Sequence, residues 1–393
     1  MFTATQFSPK QTANVAIVGG GVIGLTIARA LALRGVRDIS IVERSSLGTE
    51  ASFAAAGMLA PQAEADSSDE FFRFTCQSRE MYANFAASLF EETGVDVELD
   101  TTGTLYLALT EHDRCEIHKR YDWQTGAGLP VARLTAADVR ALEPGVNPAV
   151  QGALHFPLDV QVENRRLLTA LANSVNKLGV RTITEASVES LRVEKDRVIG
   201  VQTTRGFLSC STVVIAAGSW TSSISVLKGE TEQKQRSTPP IEPVRGQMLC
   251  FDSRPQLMRH VIYSPRGYTV PRRDGRLLAG STSEEAGFAK QVTAGGVSSI
   301  LSHAMEIAPT ISSLPLVDSW AGLRPRAPDG LPVLGPCDEI DGLFYATGHY
   351  RNGILLAPIT GELIAQALHD GVVSPALVPF RPGRFRAVSL IAH

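Results

Sequence analysis

The chain has 393 residues, 44% hydrophobic and 20% charged, with a formal net charge of −3. This is the composition of a soluble globular protein with more than one core; it argues against disorder, and with no basic block it argues against nucleic acid or an anionic membrane surface as partner. The five cysteines are scattered and never form a C-x-x-C pair, so reduced thiols in a cytoplasmic protein are expected, not disulfides or zinc.

The first fourteen residues are polar, with Lys10 their one basic residue, and no secretory signal is expected from them. No apolar run approaches the length of a membrane span. Residues 15–18 are an apolar run expected as a buried parallel strand. Glycines follow at 19, 21 and 24, and a helix is expected over 25–34, ended by Gly35. Gly19 permits a tight turn, Gly21 lets the backbone approach a pyrophosphate, and Gly24 lets helix and strand pack closely. The helix start offers free N–H groups and a positive dipole end to phosphates. A second strand, 39–42, ends on Glu43, placed to accept hydrogen bonds from a ribose. Strand, helix, strand and acid fall in register, which predicts a dinucleotide site without choosing between FAD and NAD.

A small-residue loop spans 45–61, and an amphipathic stretch spans 70–93 with Phe71, Phe72 and Phe74 expected on its core side. Residues 106–110 read as strand and 136–142 as a short helix stopped by Pro144. Asn164 is expected to cap a helix that runs to Lys177 and ends at Gly179. Strands recur at 180–183, 188–193, 198–203 and 213–216, the last leading through a Gly218-Ser219 turn into a helix that would face a bound nucleotide. The polar segment 229–240 reads as an exposed linker or lobe boundary, and β-rich pieces follow at 247–251, 261–263, 267–271 and 276–280. A last buried strand, 343–347, ends at Gly348, and a helix is expected to begin near Gly353, with Pro358 tolerated in its opening turns. Its positive end would point at whatever the crevice holds; were that a flavin, the dipole would stabilise the negative charge gained on accepting hydride. This order predicts an α/β fold: a nucleotide domain assembled from three chain segments, with an antiparallel sheet inserted as a second lobe. The expected bounds are 1–80, 147–228 and 325–393 for the first, 81–146 and 229–324 for the second.

The fingerprint, E-A-S-F-A-A-A-G-M-L-A-P (50–61), W-A-G-L-R-P-R-A-P-D-G-L-P-V-L-G (320–335) and G-H-Y-R-N-G-I-L-L-A-P (348–358) together resemble the D-amino-acid oxidase superfamily. Within it, the chain looks most like the glycine oxidases of thiamine biosynthesis, over nearly its whole length. The resemblance implies a FAD-binding Rossmann-like parallel-sheet domain with an inserted antiparallel-sheet substrate domain. It implies non-covalent FAD, no metal, and oxidative deamination of glycine, sarcosine or small D-amino acids by hydride transfer to flavin. Products would be an imine hydrolysing to glyoxylate and ammonia, plus hydrogen peroxide from O2, with the imine used for thiazole formation. A homo-oligomer is implied by analogy alone.

The same resemblance implies that Arg324 and Tyr268 hold the substrate carboxylate, with Arg351 beside the substrate near the flavin. Implied FAD contacts are Gly19, Gly21, Val22, Ile23 and Gly24, then Glu43 and Arg44, then Ala51, Ser52, Gly57 and Met58. They continue at Val188, Ala217, Gly218 and Trp220, and at the turn Arg351, Asn352, Gly353, Ile354 and Leu355. The chemistry agrees: a small amino acid has little apolar surface, so a bidentate arginine must fix it, and a tyrosine adds a donor without a second charge. With the carboxylate held and the amine neutral, Cα–H can face the flavin, and positioning supplies most of the catalysis without a protein acid or base.

The competing role for Arg324 is an ion pair at a lobe interface; for Tyr268 it is sheet packing. His349 is expected in packing or on the surface, Tyr350 and Met58 as cavity lining or filler, and Arg326 and Asp329 in local pairs. Sarcosine oxidases attach flavin through a cysteine near G-L-R-P, yet none lies between Cys250 and Cys337; where dimethylglycine-type enzymes carry a histidine, this chain has Phe53 and alanines. The rival activities are a dehydrogenase of D-amino acids or N-methyl amines and a non-catalytic flavin-binding oxidase subunit.

Overall fold

Along the strand Gln11–Val18, side chains alternate between two buried faces: Val15 and Ile17 join one apolar cluster, Ala16 and Val18 another. A strand covered on both faces has no reason to alternate with polar residues, hence the continuous apolar run. The computed structural model describes residues 11–229 and 238–385, so most of the expected linker at 229–240 lies outside the described residues.

Gln11–Val18 sits inside a nine-stranded sheet. The order is Ser225–Lys228, Val188–Glu194, Arg197–Thr203, Gly206–Ile215, Gln11–Val18, Ile39–Val42, Arg181–Ile183. Leu343–Thr347 pairs with the carboxyl half of Gly206–Ile215, and Val333–Pro336 pairs with Leu343–Thr347. Pairing around Gln11–Val18 is parallel, whereas 188–209 forms an antiparallel meander on the flank. The strand carboxyl ends meet the glycine turn. Gly19 has φ 109°, and a Cβ there would stand 2.4 Å from the Ala216 carbonyl oxygen. A Cβ on Gly24 would stand 2.0 Å from the Gly19 carbonyl oxygen, so the helix Val22–Leu33 can lie this close only with glycine. That helix begins three residues before the expected start.

Helices Val22–Leu33, Asn164–Lys177 and Ala357–His369 cover one face, and the long helix Glu70–Thr93 packs on the latter two. Asp69 caps the long helix by accepting from the Phe72 N–H at 2.7 Å, and Gly94 closes it at φ 72°. The bound expected after residue 80 thus falls inside this helix, and the one after 324 inside the strand Leu316–Arg326. Phe72 and Phe74 are buried; Phe71 and Phe74 meet Phe380, and Phe72 meets Trp123 edge-on.

The second sheet has eight strands, ordered Leu316–Arg326, Glu242–Asp252, Arg276–Gly280, Gly267–Pro271, Val261–Ser264, Thr104–Ala108, Gly152–Phe156, Ala132–Thr135. It is antiparallel except where Val261–Ser264 joins Thr104–Ala108 in parallel, a join between distant segments that local pattern does not announce. Thr104–Ala108 starts two residues before the expected strand. Two of the longer helices among the described residues were not expected. Glu111–Gly126 is nearly all polar, so it has no apolar stripe; a Thr110–Asp113 capping box starts it. Ala294–Ile307 opens Ala-Gly-Gly, which lowers helix propensity, yet burial of Ile300, Ala304 and Ile307 secures it.

Asn164 lies inside its helix, and Glu163 is the cap, its carboxylate accepting from the Arg166 N–H at 2.7 Å. Asn164 instead donates to the carbonyls of Ser52 (2.8 Å) and Phe53 (3.1 Å), tying down the small-residue loop. All five cysteines are free thiols. Among the described residues no helix is long and apolar enough to cross a membrane.

Candidate active site

A continuous cleft runs from the glycine turn of the first sheet to the inner face of the second. Its cavity volume is about 270 Å³, and it is partly open to solvent.

At one end the cleft is backbone. Gly19, Gly21, Val22 and Ile23 line it at the start of the helix Val22–Leu33. The N-cap residue is Gly21, which brings no side-chain acceptor, and the Val22 N–H donates to Ser52 Oγ at 3.0 Å. An uncapped helix start leaves donors for an anion. Glu43 ends the second strand and is buried. Its carboxylate accepts from the N–H of Gly20 (2.7 Å), the N–H of Ser45 (2.9 Å) and Ser45 Oγ (3.1 Å). Beyond it, the Arg44 guanidinium lies 3.5 Å from the centre of the Trp220 ring and pairs with Glu50. Trp220 belongs to a 3₁₀ turn, Gly218–Ser223, where an α-helix was expected; Ser219 and Thr221 are spent there on the Leu323 carbonyl (2.9 Å) and Thr347 Oγ1 (2.8 Å). Ala217, Gly218 and Val188 share this wall, with Ala51, Ser52, Gly57 and Met58 across from it.

The far end is made of side chains. Arg324 lies on Leu316–Arg326 opposite Val244. Its guanidinium lies over Gly246, where a Cβ would stand 2.3 Å from Nη1, so that glycine is what makes room for it. Nη1 donates to the Thr282 carbonyl at 3.0 Å and Nη2 to Ser281 Oγ at 2.7 Å, both neutral. No carboxylate pairs with Arg324 among the described residues, so the ion pair of the competing reading is not made. Three of its five N–H donors remain for a ligand. Tyr268 projects from Gly267–Pro271 and is nearly buried; its hydroxyl faces Met248 Sδ at 3.3 Å, a weak acceptor that leaves the group available.

Arg351 donates to the Tyr263 hydroxyl at 2.8 Å and to Glu64 at 3.3 Å. The Glu64 charge raises its pKa, so it is a permanent cation. Tyr263 stacks on Tyr268 with ring centres 6.0 Å apart. The preceding Tyr350 takes a left-handed φ of 47°, a conformation that costs a bulky residue about 1–2 kcal/mol and bends the chain toward the cleft. Asn352, Gly353 and Ile354 line the cleft as a turn; the helix expected from Gly353 begins at Ala357, with Pro358 in its opening turn. The turn is anchored from behind by Ser78 Oγ on the Leu355 carbonyl (2.6 Å) and the Tyr82 hydroxyl on the Ile354 carbonyl.

Gly24 and Leu355, both expected at the cofactor, are off the cleft wall: Gly24 packs against Gly19, and the Leu355 side chain is in the core. His349 is on the wall, but burial pushes it down to about 3 and Nε2 meets Thr360 Oγ1 at 3.1 Å, leaving it neutral. Arg326 pairs with Glu242 and Glu285, Asp329 with Arg384. Glu64, Gly246, Met248, Tyr263, Ser281 and Thr282 carried no sequence signal; strand pairing places Gly246, Met248 and Tyr263, Ser281 and Thr282 follow the strand Arg276–Gly280, and Glu64 is brought by the short helix Pro61–Glu64.

Residues 14–367 match the family described as FAD dependent oxidoreductase (DAO). The chain belongs to this FAD-dependent family. It is 37% identical over 369 residues to the glycine oxidase of Geobacillus kaustophilus, covering 93% of this chain and 96% of that one. It is 34% identical to the bifunctional protein ThiO/ThiG of Synechocystis, covering 96% of this chain but 54% of that protein. The crystal structure of the Geobacillus kaustophilus glycine oxidase superposes with a TM-score of 0.89 at 35% identity, over 95% of this chain and 99% of that one. As in the rest of the DAO family, the cofactor is FAD. The residues fit it: at Gly21 the nearest atom to an added Cβ is Ser52 Oγ at 3.2 Å, so a backbone without side chains faces the cleft beside an uncapped helix start.

Proposed function

We propose that the protein oxidatively deaminates glycine and other small amines, giving an imine that hydrolyses to glyoxylate and ammonia, with hydrogen peroxide as the other product. The observation that carries this reading is Arg324, a guanidinium without a carboxylate partner, in a cleft whose other two arginines are paired. Its relatives named glycine oxidase and ThiO support the substrate and a role in thiamine biosynthesis.

The nine-stranded sheet would hold FAD and the eight-stranded sheet the substrate. Gly21, Val22 and Ile23 would meet the pyrophosphate, Glu43 the ribose, Val188 the adenine, and the Asn352–Ile354 turn the flavin. FAD supplies the hydride acceptor. Arg324 clamps the carboxylate through paired N–H bonds, and the Tyr268 hydroxyl adds a third donor. With those atoms fixed, the amine and Cα–H have one orientation left, which converts binding energy into positioning. His349, the histidine on the cleft wall, is neutral but spent on Thr360, so it is not poised as a general base. A cytoplasmic location, O2 as acceptor and a homo-oligomer belong to the same proposal.

Anaerobic mixing with glycine should bleach the flavin band, and admission of O2 should restore it with equimolar glyoxylate and peroxide. A band unmoved by glycine, sarcosine and D-alanine overturns the reading; bleaching that air does not reverse marks a dehydrogenase.

A further inference from the structure

We propose that Glu64 determines substrate specificity: by occupying Arg351 it restricts the cleft to amines carrying one carboxylate. The inference rests on the glycine-type reading and adds to it the class of amine refused. Three arginines line the cleft, Arg44, Arg324 and Arg351, together with three carboxylates, Glu43, Glu50 and Glu64. Arg44 is paired with Glu50 and Arg351 with Glu64, while Glu43 is held by the amides of Gly20 and Ser45. Arg324, bonded to two neutral oxygens, is the cleft arginine left for an incoming anion. A second carboxylate on the same substrate would have to turn to Arg351, whose charge Glu64 already matches. There it meets Glu64 as a like charge, a repulsive element of the kind that sharpens specificity.

Glu64 is not free to swing aside. It ends the short helix Pro61–Glu64, and that helix is held from several sides. The Asp159 side chain, wholly buried, accepts from the N–H groups of Gln62 (3.2 Å) and Ala63 (2.7 Å) and pairs with Arg79 at 3.2 Å. Gln124 Nε2 donates to the Gln62 carbonyl at 2.8 Å, and Arg120 donates to the Gln62 carbonyl at 3.3 Å and to the Ala65 carbonyl. Asp159 is therefore a positioning residue that acts through this helix on Glu64. From the other side, the Tyr263 hydroxyl accepts from Arg351 at 2.8 Å, so both members of the pair have a fixed seat.

The test uses the FAD-loaded full chain with E64Q and E64Q/R351M. Glycine and iminodiacetate, an amine with two carboxylates, are compared as substrates. Acetate and malonate are titrated calorimetrically as ligands that cannot be oxidised. In E64Q the kcat/KM ratio of iminodiacetate to glycine should rise about tenfold or more, the scale of one charge-assisted hydrogen bond, and the malonate-to-acetate affinity ratio should rise with it. E64Q/R351M should return both ratios to the wild-type level. If E64Q loses its flavin, E64A gives the same readout. Ratios unchanged in a flavin-bound variant overturn the proposal, as does a gain that survives loss of Arg351. A wild-type protein inert toward glycine breaks the glycine reading instead, and the malonate-to-acetate ratio still decides the role of Glu64.

Discussion

The two ends of the cleft differ in what they are made of. The end beside the first sheet is mostly main chain: Gly19 and Gly21, the start of the helix Val22–Leu33, and one carboxylate held by two amides and a hydroxyl. The end beside the second sheet is mostly side chain: Arg324, Tyr268, Arg351 and Glu64, delivered by four separate stretches. A backbone surface tolerates few additions, since any side chain occupies the space the ligand needs. A side-chain surface tolerates substitution without collapse, and loses selectivity in proportion to the group removed.

Perturbing each end should expose this difference. The largest effect is expected from G19V, which puts a branched side chain at φ 109° against a carbonyl 2.4 Å from the new Cβ. The protein should purify without its yellow colour and melt at lower temperature; a variant that retains stoichiometric FAD, read by absorbance, breaks the main-chain account. Next is Arg324→Met, which should keep FAD and the melting temperature but lose roughly 10²–10⁴ in kcat/KM for glycine, the scale of truncating a buried charged contact. Retention of activity within a few fold removes Arg324 from substrate binding.

A smaller, pH-dependent effect belongs to the side-chain end. The strand bearing Tyr268 is preceded by Arg266, which forms paired bonds of 3.1 and 2.9 Å with Asp113. Burial pushes the Asp113 carboxyl up, but the bonds from Arg266, Leu109 and Thr110 outweigh it and leave it at about 2. A carboxyl lowered in the folded state stabilises fully above its unfolded value near 4, and that contribution fades as pH falls from about 4 to about 2. Urea unfolding should therefore show a steeper acid loss in the wild type than in Asp113→Asn. Equal slopes deny the pair its role. Smallest of all, Tyr268→Phe should raise KM for glycine severalfold, up to about tenfold, as one neutral donor is lost while kcat/KM for the amine moiety's oxidation keeps its pH profile. A KM unchanged in steady-state assays returns Tyr268 to sheet packing.

The same contrast explains what could be read in the chain. The fingerprint from residue 15 to Glu43, the long helix over 70–93 and the buried strand 343–347 were legible because each is a local statement about glycine, capping or apolar period. Arg324, Tyr268 and Arg351 were named through resemblance, since nothing in their surroundings marks a lone arginine or a strand tyrosine as functional. Glu64 and Gly246 were not legible at all, because their meaning lies in residues 287 and 78 positions away: Arg351 and Arg324. The helix expected at Gly353 failed for a related reason, since Ser78 and Tyr82 hold that turn open from another element.

By itself, then, the amino-acid order determined the nucleotide-binding turn, the alternation of strand and helix around it, and the presence of a second, strand-rich lobe. These follow from periodicity and from glycine's freedom, which act over a few residues. Which arginine is paired and which is left open was decided only by the tertiary structure. Charge pairing depends on distance in space, and the pairing of Leu316–Arg326 with Glu242–Asp252 and the seating of Pro61–Glu64 against Asp159 set that distance.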